Sequence, residues 1–178
     1  MKSHSKECGA ALVTGLLILV VLTLIGMASL NMSVLDEKMA GNLKDKTLAF
    51  QAAEAALRDA EANIEGRGER PTPVGTSGSC IGACDVWKKN ASEIANMVNA
   101  NHSDWLAKAK PYGGTINGVH AQPRYVVEEL KYGKGNGSLV RPAAGGGQFF
   151  YIITARGTGG NDAAEAVLQS IYATRFAN

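Results

Sequence analysis

The sequence predicts an α+β protein in which one long N-terminal helix, apolar in its first half and amphipathic in its second, packs on a small antiparallel sheet. Three observations predict it. No charged residue occurs in the 27 positions from Gly9 to Leu35. Apolar residues then recur at helical spacing as far as Ile64, with no proline before Pro71. The β-rich runs, parted by glycine-rich connections, come last.

The first helical half is read from its length. A bilayer core needs roughly 20 mostly apolar residues in helix, and the run around Leu16-Leu17-Ile18-Leu19-Val20-Val21-Leu22 meets that need. Lys2 and Lys6 precede it, and Asp36-Glu37 follow it. Basic residues favour the cytoplasmic side, so the N-terminus is expected in the cytoplasm and the remainder outside. A cleaved secretory signal would end at a small-residue site followed by a new domain. Here the apolar run continues directly into helix-forming sequence, which suits an anchor. Cys8 precedes the run, so a lipoprotein signal does not fit either.

The second half is amphipathic. Leu35, Met39, Leu43, Phe50, Ala53, Leu57, Ala60 and Ile64 fall three, four or seven apart, the spacing of one helix face. Ala49 to Arg58 is rich in good helix formers, and Glu54 and Arg58 sit at i,i+4 on the outer face. Phe50 and Leu57 are expected to be covered by the sheet. Gly26 and Gly41-Asn42 are the weak points. The helix should stop in Gly66-Arg67-Gly68-Glu69-Arg70-Pro71-Thr72-Pro73, which is breaker sequence.

Beyond the breaker, residues 74 to 84 read as loop. Cys80 and Cys84 lie four apart around Gly82. In an oxidising compartment the pair reads as a small-loop disulfide. A metal site would need two further ligands, and His4, His102 and His120 have no ligand spacing to the pair. Asp85 to about Asn99 suggests a short helix with Trp87, Ile94 and Met97 on its apolar face. Asp104 is a candidate cap for a turn through Trp105 to Lys108. Three strands follow, over Tyr125–Leu130, Gln148–Arg156 and Ala166–Thr174. The short connection Gly157 to Asn161 predicts an antiparallel hairpin between the last two. The amphipathic half of the helix is the expected cover for the sheet.

Composition excludes several functions. A formal net charge of +2 over 178 residues gives no basic face for nucleic acid. Gly133-Lys134-Gly135-Asn136-Gly137 lacks phosphate-loop spacing and reads as a turn between strands. His102 and Asp104 read as capping residues. Glu128 and Glu129 are adjacent in a strand and point to opposite faces. Asp162 alone is far short of a calcium site. No catalytic constellation, cofactor site or metal site is expected.

Gly9-Ala10-Ala11-Leu12-Val13-Thr14-Gly15-Leu16-Leu17, behind a short basic leader, resembles the start of type IV pilin precursors. The continuations Leu35 to Asn42 and Ala49 to Leu57 are similar to the PilX-type minor pilins. That likeness covers about residues 8 to 62, and Tyr151 to Gly159 resembles the family's late strand and turn. The resemblance implies a leader, residues 1–9, cut between Gly9 and Ala10 by a prepilin peptidase, with methylation of the Ala10 amine. It implies a transmembrane and assembly half over 10–35, an amphipathic half over 36–64 and an extracytoplasmic pilin domain over 65–178. It places the chain in the inner membrane as a single-pass protein before assembly, and in the pilus at the cell surface afterwards. The implied partners are other minor pilins, the major pilin and a large tip adhesin.

One position departs from most pilins, a loss that PilX-like subunits and some secretion-system tip subunits share. Most pilins carry a Glu at the fifth mature position, where this chain has Thr14. In the family that carboxylate is held to pair with the amine of a neighbouring subunit. Its loss implies a subunit that primes assembly or sits at the filament tip, not a major repeating one. Two other readings remain at this stage: a minor pseudopilin of a type II secretion system, and a single-pass anchored extracytoplasmic protein.

Overall fold

The computed structural model describes residues 8–75, 84–89, 91, 92, 94, 97–99, 102–133 and 148–176. Helix α1 runs over Cys8–Glu65 without interruption, 58 residues. The chain divides into two compact units, one ending at Leu43 and one beginning at Lys44. The second unit holds the C-terminal part of α1, two-residue strand β1 (Trp87–Lys88), a 3-10 turn (Met97–Asn99), helix α2 (His102–Lys108), strand β2 (Lys110–Pro111), and the long strands β3 (Arg124–Gly133), β4 (Gln148–Thr158) and β5 (Glu165–Thr174). The strands make one sheet in the order β1-β3-β4-β5, with β2 also paired to β3.

The α+β prediction holds, and the hairpin of β4 and β5 is antiparallel as expected. β3 joins β4 antiparallel too, with a bulge between Glu129 and Lys131. The sheet is nevertheless mixed, because β1 runs parallel to β3.

Side chains alternate across a strand, and here each face of the sheet meets its own layer. Tyr125 and Val127 of β3 and Tyr151, Ile153 and Ala155 of β4 pack with Ala56, Leu57, Ala60 and Ile64 of α1. The intervening Val126 lies instead with Cys84, Trp87, Ala91, Ile94, Met97, Trp105 and Ala109. The amphipathic half of α1 covers one face as expected, and described residues between α1 and β3 cover the other. Burial on both sides accounts for the unbroken buried run Ile153–Thr158 in β4.

The expected helix over 85–99 is also corrected. Trp87-Lys88 is a strand, Val74 bridges to Trp87, and the only regular helical turn among the described residues of that stretch is Met97–Asn99. The apolar side chains predicted to share a face are buried together all the same. Asp104 is not the residue preceding α2. It sits in the first turn, paired with Lys108 at 3.3 Å. His102 does not act with it: its Nδ1 lies 2.9 Å from Arg156 Nη1. The predicted turn over Gly133–Gly137 and the loop carrying Cys80 lie, apart from Gly133, outside the described residues.

Ala53, Leu57, Ala60 and Ile64 are buried as the predicted stripe requires, but Phe50 is not. Ala49, Ala52, Ala53, Ala56 and Ala60 are fully buried, with Leu57 and Ile64, whereas Phe50 remains 49% exposed. The reason is close approach. A Cβ built on Gly157 would lie 2.4 Å from Ala49 O and from Ala53 N, and one on Gly159 would lie 2.4 Å from Asp45 O. The end of β4 thus presses its bare backbone against the helix backbone. Only alanine and glycine fit that seam, so the large Phe50 side chain is turned aside. Gly157 and Thr158 consequently belong to β4 and not to the connection.

Ion pairs hold the rest in place. Arg70 meets Glu129 through two hydrogen bonds of 2.7 and 3.0 Å, with its guanidinium 4.7 Å over the Phe149 ring. That bidentate pairing ties the chain leaving α1 to the sheet. Burial, reinforced by nearby carboxylates, pushes the Tyr125 and Tyr151 hydroxyls up to about 12.

Candidate assembly surface

The part of α1 up to Leu43 is built unlike the rest. Leu12, Leu16, Leu19, Leu22, Ile25 and Leu30 all keep more than half of their surface exposed. The helix is long and apolar enough to cross a membrane, and its most apolar window is 0% buried. Such a surface requires a non-aqueous partner, either lipid or other helices.

Three hydroxyls within this stretch are satisfied by the helix itself. Thr14 Oγ1 donates to the carbonyls of Ala10 and Ala11, each at 3.0 Å. Thr23 Oγ1 bonds Val20 O at 2.8 Å, and Ser33 Oγ bonds Ser29 O at 3.4 Å. A hydroxyl that bonds back one turn carries no unmet polar demand into an apolar environment. Gly15, Gly26 and Gly41 have open space where a Cβ would stand. These are flat patches where another helix can approach closely.

The sequence-predicted residues fall in two places. Gly9 and Ala10 lie in the first turn of α1, with Thr14 one turn on and joined to Ala10 by its hydroxyl. Cys84 is buried in the core on the sheet face away from α1, and Cys80 lies outside the described residues. The structure brings Gly9, Ala10 and Thr14 together and leaves Cys84 in the other unit. Among the described residues no group of three or more His, Cys, Asp or Glu side chains is placed to hold a metal.

A family model for the PilX N-terminal region matches residues 9–58, and one for the type IV pilus assembly protein PilX C-terminal region matches residues 54–174. The chain belongs to the PilX family. The two matches meet within α1, so the exposed apolar stretch and the helix-on-sheet unit are parts of one family architecture. This PilX chain is accordingly a minor pilin of type IV pilus assembly, a structural component that interacts with other pilus proteins. No curated protein and no solved structure matches it.

Sequence reading missed the seam between α1 and β4. Its signal was present: Gly157 and Gly159 alternate at strand spacing, opposite an alanine-rich helix. It also missed Arg156, buried and held by His102 and by Glu165 at 2.8 Å. No local pattern marks that arginine, because its partners come from distant elements.

Proposed function

We propose that this chain is a low-copy subunit that primes pilus assembly or occupies the filament tip, and that it has no catalytic role. The single observation carrying this reading is Thr14. Its hydroxyl is spent on Ala10 and Ala11, and the run from Gly9 to Leu35 contains no carboxylate. A charge buried in an apolar bundle requires a partner. A subunit without the acidic member gives nothing to the amine of the subunit ahead, yet still offers its own amine to the subunit behind. One-sided competence of this kind suits a cap or initiator.

The reading includes the processing that prepares it. Cleavage between Gly9 and Ala10 by the prepilin peptidase leaves an Ala10 amine, which is then methylated. Before assembly residues 10–35 span the inner membrane, with the N-terminus cytoplasmic. Residues 36–64 continue the spine and 65–178 form the extracytoplasmic domain, which reaches the cell surface in the pilus. Its neighbours there are other minor pilins and the major pilin, with a large adhesin as a tip partner. Cys80 and Cys84 close a small disulfide loop.

Immunogold labelling of sheared pili tests position. Label at filament ends is expected, and regular label along the shaft would defeat the proposal. N-terminal analysis of filament protein should return methylated Ala10, and finding Met1 there would sink the processing step. The mature unreduced protein should take up no thiol reagent at Cys80 or Cys84. Stoichiometric labelling of both would rule out the bridge.

A further inference from the structure

A pocket of about 120 Å³ lies among α2, β2 and the ends of β3 and β4, lined by His102, Leu106, Pro111, Ala121, Arg124 and Arg156 among others. Its volume is the share of roughly four waters. We propose that this pocket receives a carboxylate side chain from a neighbouring pilus subunit, with the Arg124 guanidinium as its anchor.

Two arginines line the pocket, and they are not equivalent. Arg156 is already held by acids of its own, Glu165 at 2.8 Å and Asp162 at 3.7 Å. Arg124 is different. Its hydrogen bonds run from Nη1 to the carbonyls of Ala109, at 2.8 Å, and Leu106, at 3.4 Å. Those bonds tie it to the end of α2 but supply no negative charge. Burial lowers the Arg124 guanidinium below its usual value, and among the described residues no neighbouring charge offsets that loss. Nε and Nη2 remain as a fork of donors, the geometry that matches a planar carboxylate.

His102 adds a second donor. A guanidinium can only donate, so the 2.9 Å contact with Arg156 Nη1 makes His102 Nδ1 the acceptor. The ring proton then resides on Nε2. Leu106, half exposed, and Pro111 and Ala121 form an apolar collar, suited to the methylenes of an aspartate or glutamate side chain. A phosphate dianion would bring excess negative charge beside Glu165, so a monoanion is the better fit. The source of the carboxylate rests on the pilus-assembly reading. The carboxylate chemistry does not.

The test uses the full chain in detergent micelles with nitrogen-15 labelling, titrated with acetate and separately with inorganic phosphate. Acetate is expected to shift the Arg124 Nε and His102 ring signals saturably, in the millimolar range for so small a ligand. Arg124→Gln should weaken that binding about tenfold or more, and Arg124→Lys should restore part of it. Leu106→Glu, at a half-exposed rim position, should block acetate by placing a carboxylate of its own in the pocket. Unsaturable shifts, shifts unchanged by Arg124→Gln, or tighter binding of phosphate than of acetate would overturn the carboxylate site. In cells, Arg124→Gln and Leu106→Glu should each lower the recovery of cross-linked pilin subunits, identified by mass, with Arg124→Lys intermediate. Wild-type recovery with both variants would overturn the subunit as source. Neither result depends on whether label is found at the tip or along the shaft.

Discussion

Replacing Gly157 by alanine adds one methyl group at the seam where β4 meets α1. That methyl would stand 2.4 Å from Ala49 O and Ala53 N and 2.9 Å from Ala52 Cβ. Ordinary contact begins near 3.4 Å, so helix and strand must separate by about 1 Å. Both of the nearest atoms are helix backbone, which cannot swing aside as a side chain can. Overpacking costs about 1–3 kcal/mol, and rigid neighbours put this case at the upper end. For a chain of this size, about 3 kcal/mol corresponds to a fall in melting temperature of roughly 6–12 °C. Trp87 and Trp105 are both buried in the same unit and the chain has no other tryptophan. Thermal melting followed by tryptophan fluorescence therefore reports on this unit alone. Gly68→Ala is the control, because nothing lies within 4 Å of its Cβ position, and it should change stability by less than about 0.5 kcal/mol. If Gly157→Ala melted with Gly68→Ala and the wild type, the helix would not be resting on β4 and the close-approach argument would fail.

Two further outcomes follow from burial. Leu57→Ala should cost about 2–5 kcal/mol, whereas Phe50→Ala, at a half-exposed position, should cost clearly less; denaturant melts of the two variants giving the opposite order would contradict the orientation of α1. Tyr125 and Tyr151 are protonated in the fold up to about 12, above the unfolded value near 10. Their contribution is complete below about pH 10 and disappears as the pH rises through 12, because the unfolded chain releases these protons first. Absorbance titration should thus find Tyr125 and Tyr151 ionising late among the five tyrosines, and simultaneous ionisation of all five would refute it.

The long elements were legible because each carries many repeats of one period. The uncharged run to Leu35 and the apolar spacing to Ile64 specified α1 nearly to its ends, and the three long strands were placed within a few residues. What stayed hidden depended on contacts between distant segments. β1 is two residues, too short to show any period, and it is a strand only because β3 lies beside it. Trp87, Ile94 and Met97 are buried together as their character requires, but the described residues between them form no helix. Phe50 was the natural choice for a buried side chain, being the largest apolar residue on its stretch of helix. It lost the position because the glycines of β4 bring the sheet too close for anything larger than a methyl group. Arg124 and Arg156 carried no sign of their pocket, since their surroundings are assembled from α2, β2 and β4. At Gly9, Ala10 and Thr14 the reading rested on local sequence alone, and local helix geometry is what joins those positions.

The seam also bears on how the chain is made. The alanine face of α1 leaves the ribosome early, but the elements that cover it come late: Asp45 meets Asn161, 116 residues further on. At about 5–20 residues per second that interval is on the order of ten seconds. A leucine-rich face waiting so long would be an invitation to non-native association. A face on which five alanines accompany only Leu57 and Ile64 leaves much less apolar area open to water, and its methyl groups lose little side-chain freedom when finally enclosed. A helix face made of small residues is therefore one that can wait for its sheet, and the same choice that permits backbone contact in the finished subunit limits the hazard of the unfinished one.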